Sequence, residues 1–586
     1  MLKSKTDKKD LRGVFRMLRP YLSRERRPIL ISAILSILAY LVILWGPVFS
    51  GRAIDAMGFG GEQVDFPLSL RMALLFFLSY LLHDSIAYLT RRKMGRVSQN
   101  IGLALRQDCF NKIVELPLSY LDAHQAGDLV SRISYDLDLV SSAIFSDLTN
   151  FIATTITVFG SLWMMFRISV DLSLIFLLLL PFTAVFTWLR IKKMRPLFSL
   201  RSRKLGQMNG HVEEILYGQK SIRAYEQEDY FLENFNAINT ASMEAYYQAE
   251  YQAAINWPSV SLMTNIGLAL IAIFGSFLYL NGSFTLGELS TFVLLSRRFS
   301  GPINEMANLI AELQSALSAA ERVRKLLEQP SEPADLPGAK SLEIRGGEVR
   351  FQNVFFSYKE GEPVIRNLSF TATAGSMTAI VGPTGAGKTT LINLLMRFYD
   401  PDEGQILIDT QDTRSVQRGS LRRSFAMVLQ DSWLFKGSIR DNIAYGKPDA
   451  SIEEIKEAAR AAHIASDIEA MPDAYETEIS DGAENISEGQ QQLLTIARAM
   501  LLDAPLLILD EATSHVDSRT EYQIQQAMDR LIEGRTSFVI AHRLSTIRHA
   551  DRILLIMDGE VAEEGSHEEL LKKGGAYAKL YEAQFS

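Results

Sequence analysis

The run Gly382-Pro383-Thr384-Gly385-Ala386-Gly387-Lys388-Thr389-Thr390 holds the pattern G-x4-G-K-T. Its glycines let successive backbone N–H groups turn toward one point, Lys388 brings a positive charge to that point, and the Thr389 hydroxyl suits Mg²⁺. Downstream, Ser487-Glu488-Gly489-Gln490 precedes an apolar run, Leu506-Leu507-Ile508-Leu509, that closes on Asp510-Glu511. Successive side chains of a strand point to opposite sides, so Asp510 can hold a metal while Glu511 polarises a water elsewhere. This set suits transfer of a phosphoryl group, a reaction won mainly by positioning and by neutralising charge.

Such residues need a rigid platform. Met377-Thr378-Ala379-Ile380-Val381 reads as a buried strand feeding the glycine-rich loop, and Leu391–Phe398 as the helix whose N-terminus faces the phosphates. A second strand is expected over 349–358, and a helix over Gln491–Met500 whose opening amides, after Ser487 and Gly489, suit an anion. Gln329-Pro330-Ser331-Glu332-Pro333 through Pro337-Gly338 reads as a linker ahead of this region.

The rest of the chain has a different character. Its 586 residues exceed what one core supports, and the net charge of −8, without a pooled basic patch, argues against nucleic acid as a partner. A single cysteine, Cys109, excludes an intrachain disulfide framework and a cysteine-based zinc site. Apolar runs long enough to cross a bilayer occur at Ile29–Phe49, Leu68–Leu89, Phe145–Phe166, Leu172–Leu189 and Pro258–Leu280. A sixth, Phe284–Leu309, carries Glu288, Arg297, Arg298, Asn304 and Glu305 and cannot face lipid all round. His83 and Asp84, inside the second run, require a protein- or water-facing side. The basic start is followed by an apolar stretch too long for a cleavable leader, so none is expected. Lys and Arg crowd the leader and the segments after the second and fourth runs, which places both termini in the cytoplasm. The connections 90–144 and 190–256 keep helical periodicity and read as helices continuing into water, with breaks at Leu116–Asp122 and at Tyr217-Gly218-Gln219-Lys220.

Over essentially its whole length the chain resembles the ABC exporters, specifically a bacterial half-transporter of the multidrug type. The resemblance rests on the motifs above and on their order. It implies an all-α six-helix transmembrane domain with long cytoplasmic helix extensions, followed by an α/β P-loop ABC nucleotide-binding domain. The expected boundaries are 1–27 for a cytoplasmic leader, 28–328 for the transmembrane domain, 329–346 for the linker and 347–586 for the nucleotide domain. It also implies ATP and Mg²⁺ as cofactors, ATP hydrolysis coupled to transport, and a place in the bacterial cytoplasmic membrane among its lipids. Tyr358 matches the aromatic that stacks on adenine, and Gly382 to Thr390 match the phosphate loop. Gln430 matches a residue that senses Mg²⁺ or water, Ser487, Gly489 and Gln490 the signature, and Asp510 and Glu511 the metal and catalytic carboxylates. His542 matches the histidine that touches the γ-phosphate, which with Glu511, Gln430 and Lys388 completes the implied catalytic set. In this family the signature reaches the nucleotide of the opposite subunit, so two chains must close on ATP.

The pattern also has departures. Glu488 stands where the family's signature has glycine, Thr477–Glu484 matches the family's contact loop only loosely, and His515 replaces a small residue. With Lys388, Asp510, Glu511 and His542 all retained, the mixture points to one subunit of a heterodimer, the alternative being tolerated variation in a homodimer. The expected cargo is a hydrophobic or amphipathic small molecule. Arg297 and Arg298 either line its cavity or pair with Glu288 or Glu305 as a lock. A lipid flippase shares every motif, a peptide exporter usually carries a protease domain at its start, and a nucleotide-gated channel would tolerate losing Glu511.

Overall fold

The computed structural model describes residues 8–58, 64–143, 145, 148–359, 361–429, 433–483, 485–510, 517–541 and 544–585. They fall into two compact units. One comprises Met1–Val114 with Ala126–Gln329, the other Glu115–Gln125 with Pro330–Ser586.

The first unit is entirely helical. Among the described residues five helical stretches are long and apolar enough to cross a bilayer: Arg26–Asp55, Phe66–Glu115, Thr149–Ile168, Val170–Ala224 and Glu228–Leu280. The sixth expected span lies in a continuous helix of 42 residues, Leu286–Leu327, which is not among those five. Many apolar side chains point outward, Leu178 at 78% exposure and Phe277 at 67% among them, as lipid-facing helices require. The inner core gathers Met165, Leu172, Ile271, Phe292 and Leu295.

Some polar contacts join the long helices, as Arg201 does with Glu250, and others sit where a helix is interrupted. Pro47 has no N–H to offer the carbonyl four residues back, that of Ile43. That carbonyl still accepts a backbone N–H at the C-terminal end of Arg26–Leu44, and Arg298 adds a side-chain donor: one guanidinium nitrogen donates to the Ile43 carbonyl at 2.5 Å and another to the Tyr80 hydroxyl at 2.6 Å. Arg298 is therefore a lock, but onto a carbonyl and a phenol. Glu288 is committed to a capping box with Thr285 at the start of its own helix. Asp55 caps the same helix from outside, accepting from the Gly287 N–H at 2.7 Å and the Thr285 hydroxyl at 2.9 Å. This needs a bare backbone, because a Cβ at Gly287 would stand 2.1 Å from the Gly51 carbonyl oxygen. His83 bonds the Ala39 carbonyl at 3.0 Å and so faces protein, whereas the Asp84 side chain is 78% exposed.

The first long connection, 90–144, breaks at Leu116-Pro117, and Leu118–Asp122 forms a short helix after it. The second runs helically through 217–220 and turns only at Tyr225-Glu226-Gln227, where Glu226 takes a φ of 52°. Gly218 is thus absorbed by a helix whose other residues favour it, and the break falls past the expected place.

The second unit is α/β. A six-stranded sheet runs Glu560–Gly565, Arg552–Met557, Met377–Val381, Thr536–Ile540, Leu506–Asp510, Phe425–Val428 in spatial order, parallel except for its first edge strand. A four-stranded antiparallel sheet places Val349–Lys359 between Glu362–Ala372 and Glu403–Ile408. Every residue of Met377–Val381 is buried, as a central parallel strand covered on both faces demands. The linker is tied down: Arg422 grips Glu332 at 2.5 and 3.1 Å, and Asp409 accepts from the amides of Arg345, Gly346, Gly347 and Glu348 at 2.7–2.9 Å. Burial raises the Asp409 pKa, but the four amides outweigh it and hold the carboxyl below its ordinary value.

Candidate functional site

The phosphate loop follows from its strand. Gly382 leaves Met377–Val381 with φ +154°, and a Cβ there would meet the Ile556 carbonyl oxygen at 2.2 Å. Thr384 to Gly387 complete the turn, and Lys388 opens the helix Lys388–Leu395, so its first amides face the loop. The Lys388 ammonium donates to the Gly382 and Pro383 carbonyls at 2.8 and 3.0 Å. Burial pulls its pKa down, while the nearby Asp510 carboxylate acts in the opposite direction. A half-buried cation beside the opening amides of a helix is suited to a polyanion. Thr389 and Thr390 lie in the first turn of the helix, with Thr390 buried. Asp510 ends the strand Leu506–Asp510, where its neighbour in the next strand is Ile540.

Tyr358 lies near the end of Val349–Lys359 and is 45% exposed. Its hydroxyl donates to Thr390 Oγ1 at 3.1 Å and accepts from Asn393 Nδ2 at 3.3 Å, which ties the ring to the helix behind the loop. The structure therefore brings Tyr358, the loop residues Gly382–Thr390 and Asp510 to one end of the parallel strands. Gln430, Glu511, His542 and His515 lie outside the described residues.

Ser487 and Gln490 form a capping box at the start of the helix Glu488–Leu502, with the Gln490 N–H donating to Ser487 Oγ at 3.3 Å. Gly489 is buried in that first turn. Glu488 occupies the first helical position with its side chain exposed, where a carboxylate is favoured by the helix dipole. Its place in the capped helix supplies a local reason for the departure. The loop before it is fixed by Asn485, which accepts from the Ser480 amide at 3.0 Å, and by Gln491, which donates to the Ala483 and Ile486 carbonyls at 3.2 and 3.0 Å. Arg498, on the same helix, donates to the Asn442 and Trp433 carbonyls at 2.9 and 3.2 Å, which pins Trp433 and Asn442 to this helix.

Sequence reasoning did not single out Asn485, Gln491, Arg498 or Arg397. The last is the least foreseeable. The helix Lys388–Leu395 ends in a turn where the Phe398 N–H reaches the Asn393 carbonyl and the Arg397 N–H the Leu394 carbonyl, at 2.9 and 3.0 Å. That turn needs a left-handed residue, usually glycine, yet Arg397 fills it with φ 52°. Its buried guanidinium repays the strain by donating to Asp400 at 2.8 Å and to the Thr413 and Val416 carbonyls at 3.0 and 3.2 Å.

A phosphate loop at the switch of a parallel sheet, a capped signature helix and a bundle of bilayer-length helices together define an ATPase joined to a membrane permease. The chain belongs to the ABC transporter family: the model of the ABC transporter transmembrane region matches residues 29–303 and that of the ABC transporter matches 365–514. It is 41% identical over 524 residues to the fatty acid ABC transporter ATP-binding/permease protein of Mycobacterium tuberculosis, covering 89% of this chain and 83% of that protein. It is 34% identical over 557 residues to the ATP-dependent lipid A-core flippase of Legionella pneumophila, covering 95% and 94%. Among solved structures, a bacterial Atm1-family ABC exporter with ATP bound superposes with a TM-score of 0.74 at 30% identity, covering 96% of this chain and 99% of that one. The architecture is that of a type IV half-transporter, a membrane protein that binds ATP and couples its hydrolysis to export.

Proposed function

We propose that this half-transporter exports amphipathic small molecules, those with an anionic head first among them, by alternating access driven from an ATP site completed by a second protomer. The observation that carries the substrate reading is Arg297. On the helix Leu286–Leu327 the residues Phe292, Leu295, Ser296 and Phe299 form the buried stripe. Arg297 lies on the opposite face and is exposed, while its neighbour Arg298 is committed to Ile43 and Tyr80. A guanidinium at membrane depth disfavours lipid by about 2.5–3.5 kcal/mol, so this face fits a wet cavity that receives an anion. The names of the relatives, a fatty acid transporter and a lipid A-core flippase, support the amphiphile.

Within the site we assign the adenine ring to Tyr358, the phosphates to the Gly382–Thr390 loop, and the attacking water to Glu511. Mg²⁺ fits the oxygen set of Thr389 and Asp510 and would supply charge neutralisation. The role of Gln430 beside it and of His542 at the γ-phosphate belongs to the same assignment. The protein's own part is to hold the phosphates on backbone amides, to keep Lys388 dry, and to bring Ser487 and Gly489 of a second protomer to the γ-phosphate. We place both termini in the cytoplasm of a bacterium, on the distribution of Lys and Arg. A heterodimer follows from the loose match of 477–484 and from His515, whereas the local reason for Glu488 favours a second copy of this chain.

The test is ATPase activity of the full chain in liposomes with oleate or a cationic dye added. Stimulation by oleate is expected, with Arg297→Ala raising its half-maximal concentration about tenfold, the worth of one charge-assisted hydrogen bond. Equal curves for the wild type and the variant would remove the anionic-head reading, and stimulation by the dye alone would favour a general multidrug pump.

A further inference from the structure

Tyr358 does not stand alone. Its ring meets that of Tyr399 edge-on at 5.1 Å, and both meet Phe356, at 4.9 and 5.4 Å. Phe356 is buried, so the three rings form one packed body rooted in the antiparallel sheet. Tyr399 is aimed by the left-handed turn at Arg397 and by the Asp402 N–H, which donates to the Phe355 carbonyl at 2.9 Å. On its far side the Tyr399 hydroxyl donates to Asp122 Oδ2 at 2.7 Å. Burial first, and then the Asp122 carboxylate, push this phenol well above its ordinary pKa, so it stays a proton donor.

Asp122 ends the short helix Leu118–Asp122, and the segment Glu115–Gln125 that contains it packs with the nucleotide-binding unit although the chain on both sides belongs to the helical unit. The other end of the segment is held by the linker, through the Glu332 N–H to the Glu115 carbonyl at 2.8 Å and the Ser331 hydroxyl to Glu115 Oε2 at 3.1 Å. The linker contact reaches, through Arg422 between Glu332 and the Met396 and Arg397 carbonyls, the far end of the helix behind the nucleotide loop; Tyr358 at the base side is reached another way. Tyr399 packs against it edge-on, and Tyr358 leads on to Thr390 and Asn393.

We propose that Tyr399 is a positioning residue that joins the base-stacking Tyr358 to Asp122, so that seating a nucleotide base stiffens the first long connection. The inference rests on the assignment of the base to Tyr358. The hydroxyl of Tyr399 carries the link to Asp122, and its ring carries the support of Tyr358.

Hydrogen exchange of the full chain in lipid nanodiscs, with and without a non-hydrolysable ATP analogue, reads the link without knowledge of the cargo. In the wild type the analogue should slow exchange of the amides in 118–124 about threefold or more, as expected for a locally opening segment that becomes tethered. Tyr399→Phe and Asp122→Ala should each abolish that slowing while the loop 382–390 remains protected by the analogue, and the double variant should add nothing further. Persistence of the slowing in Tyr399→Phe, or its absence in the wild type, overturns the proposal. Tyr358→Ala checks the premise separately. It should weaken binding of the analogue about tenfold, the worth of one aromatic stack, and unaltered binding overturns the base assignment alone.

Discussion

The two units solve the same problem, where to put backbone polar groups, in opposite solvents. In the nucleotide unit polar side chains reach across long stretches of sequence to satisfy irregular backbone. Asp409 gathers four amides of the linker, Arg397 two carbonyls, and Arg498 two carbonyls of another segment. In the helical unit the helices satisfy most of their own backbone, and side chains either join neighbouring helices, as Arg201 does with Glu250, or sit at interruptions, as Arg298 does near Pro47 and Asp55 at the start of Leu286–Leu327. Apolar side chains mirror this. Those of Met377–Val381 are buried, and those along the bilayer-length helices are largely outward. The contrast teaches that loops do the chemistry in one unit, while in the other irregularity is confined and locked.

The contrast can be broken from either side. The largest effect is expected at the chemistry. Glu511→Gln should lower ATP turnover about 10²- to 10⁴-fold with little change in nucleotide affinity, because the acid–base contribution is lost and the cradle is not. Steady-state turnover and equilibrium binding measured together check this, and wild-type turnover in the variant would remove the catalytic role. Next, Gly382→Ala forces a methyl against the Ile556 carbonyl and should both abolish nucleotide binding and lower the melting temperature of the full chain. A variant that binds normally would show that the loop tolerates a side chain there.

In the helical unit Arg298→Met removes the side-chain donor shared by the Ile43 carbonyl and the Tyr80 hydroxyl, and about 1 kcal/mol should be lost in lipid. Thermal inactivation in nanodiscs measures it. A variant as stable as the wild type would mean that this donor contributes nothing. At Arg397 two substitutions separate backbone from side chain. Both alanine and glycine lose the buried bonds, but glycine relieves the left-handed strain and should be about 1 kcal/mol more stable than alanine. Equal melting would deny that strain.

The smallest effect is a pH dependence. The Asp409 carboxyl sits below its ordinary pKa, so the folded state favours its ionised form, and its contribution is complete above the unfolded value of about 3.9. As pH falls below that value the stability gap between wild type and Asp409→Asn should close. A gap that is constant down to acid would place the stabilisation elsewhere than in the charged carboxylate.

The parts of the molecule legible in sequence are those where chemistry demands contiguous residue types. The phosphate loop, the strand before it and the apolar run ending at Asp510 could be read directly, since each is a local pattern. The long helices are equally plain from apolar length, though the second break falls at Tyr225-Glu226-Gln227 because the helix formers around Gly218 outweigh one glycine. Partnerships between distant residues were not legible. Nothing near Arg397 signals a left-handed turn that glycine normally occupies, and Asp409 lies too far from Arg345–Glu348 in the chain for spacing to betray the nest. Arg297 and Arg298 look alike in sequence. Only the fold separates the guanidinium engaged by Ile43 and Tyr80 from the one on the open face.

The central claim is that this chain's ATP site is completed by a facing protomer. Turnover per chain should therefore be measured on size-resolved nanodiscs that hold one protomer or two. The account predicts hydrolysis confined to the two-protomer fraction and lost there when Ser487 and Gly489 are both replaced by arginine. Full-rate hydrolysis by a solitary protomer would contradict it.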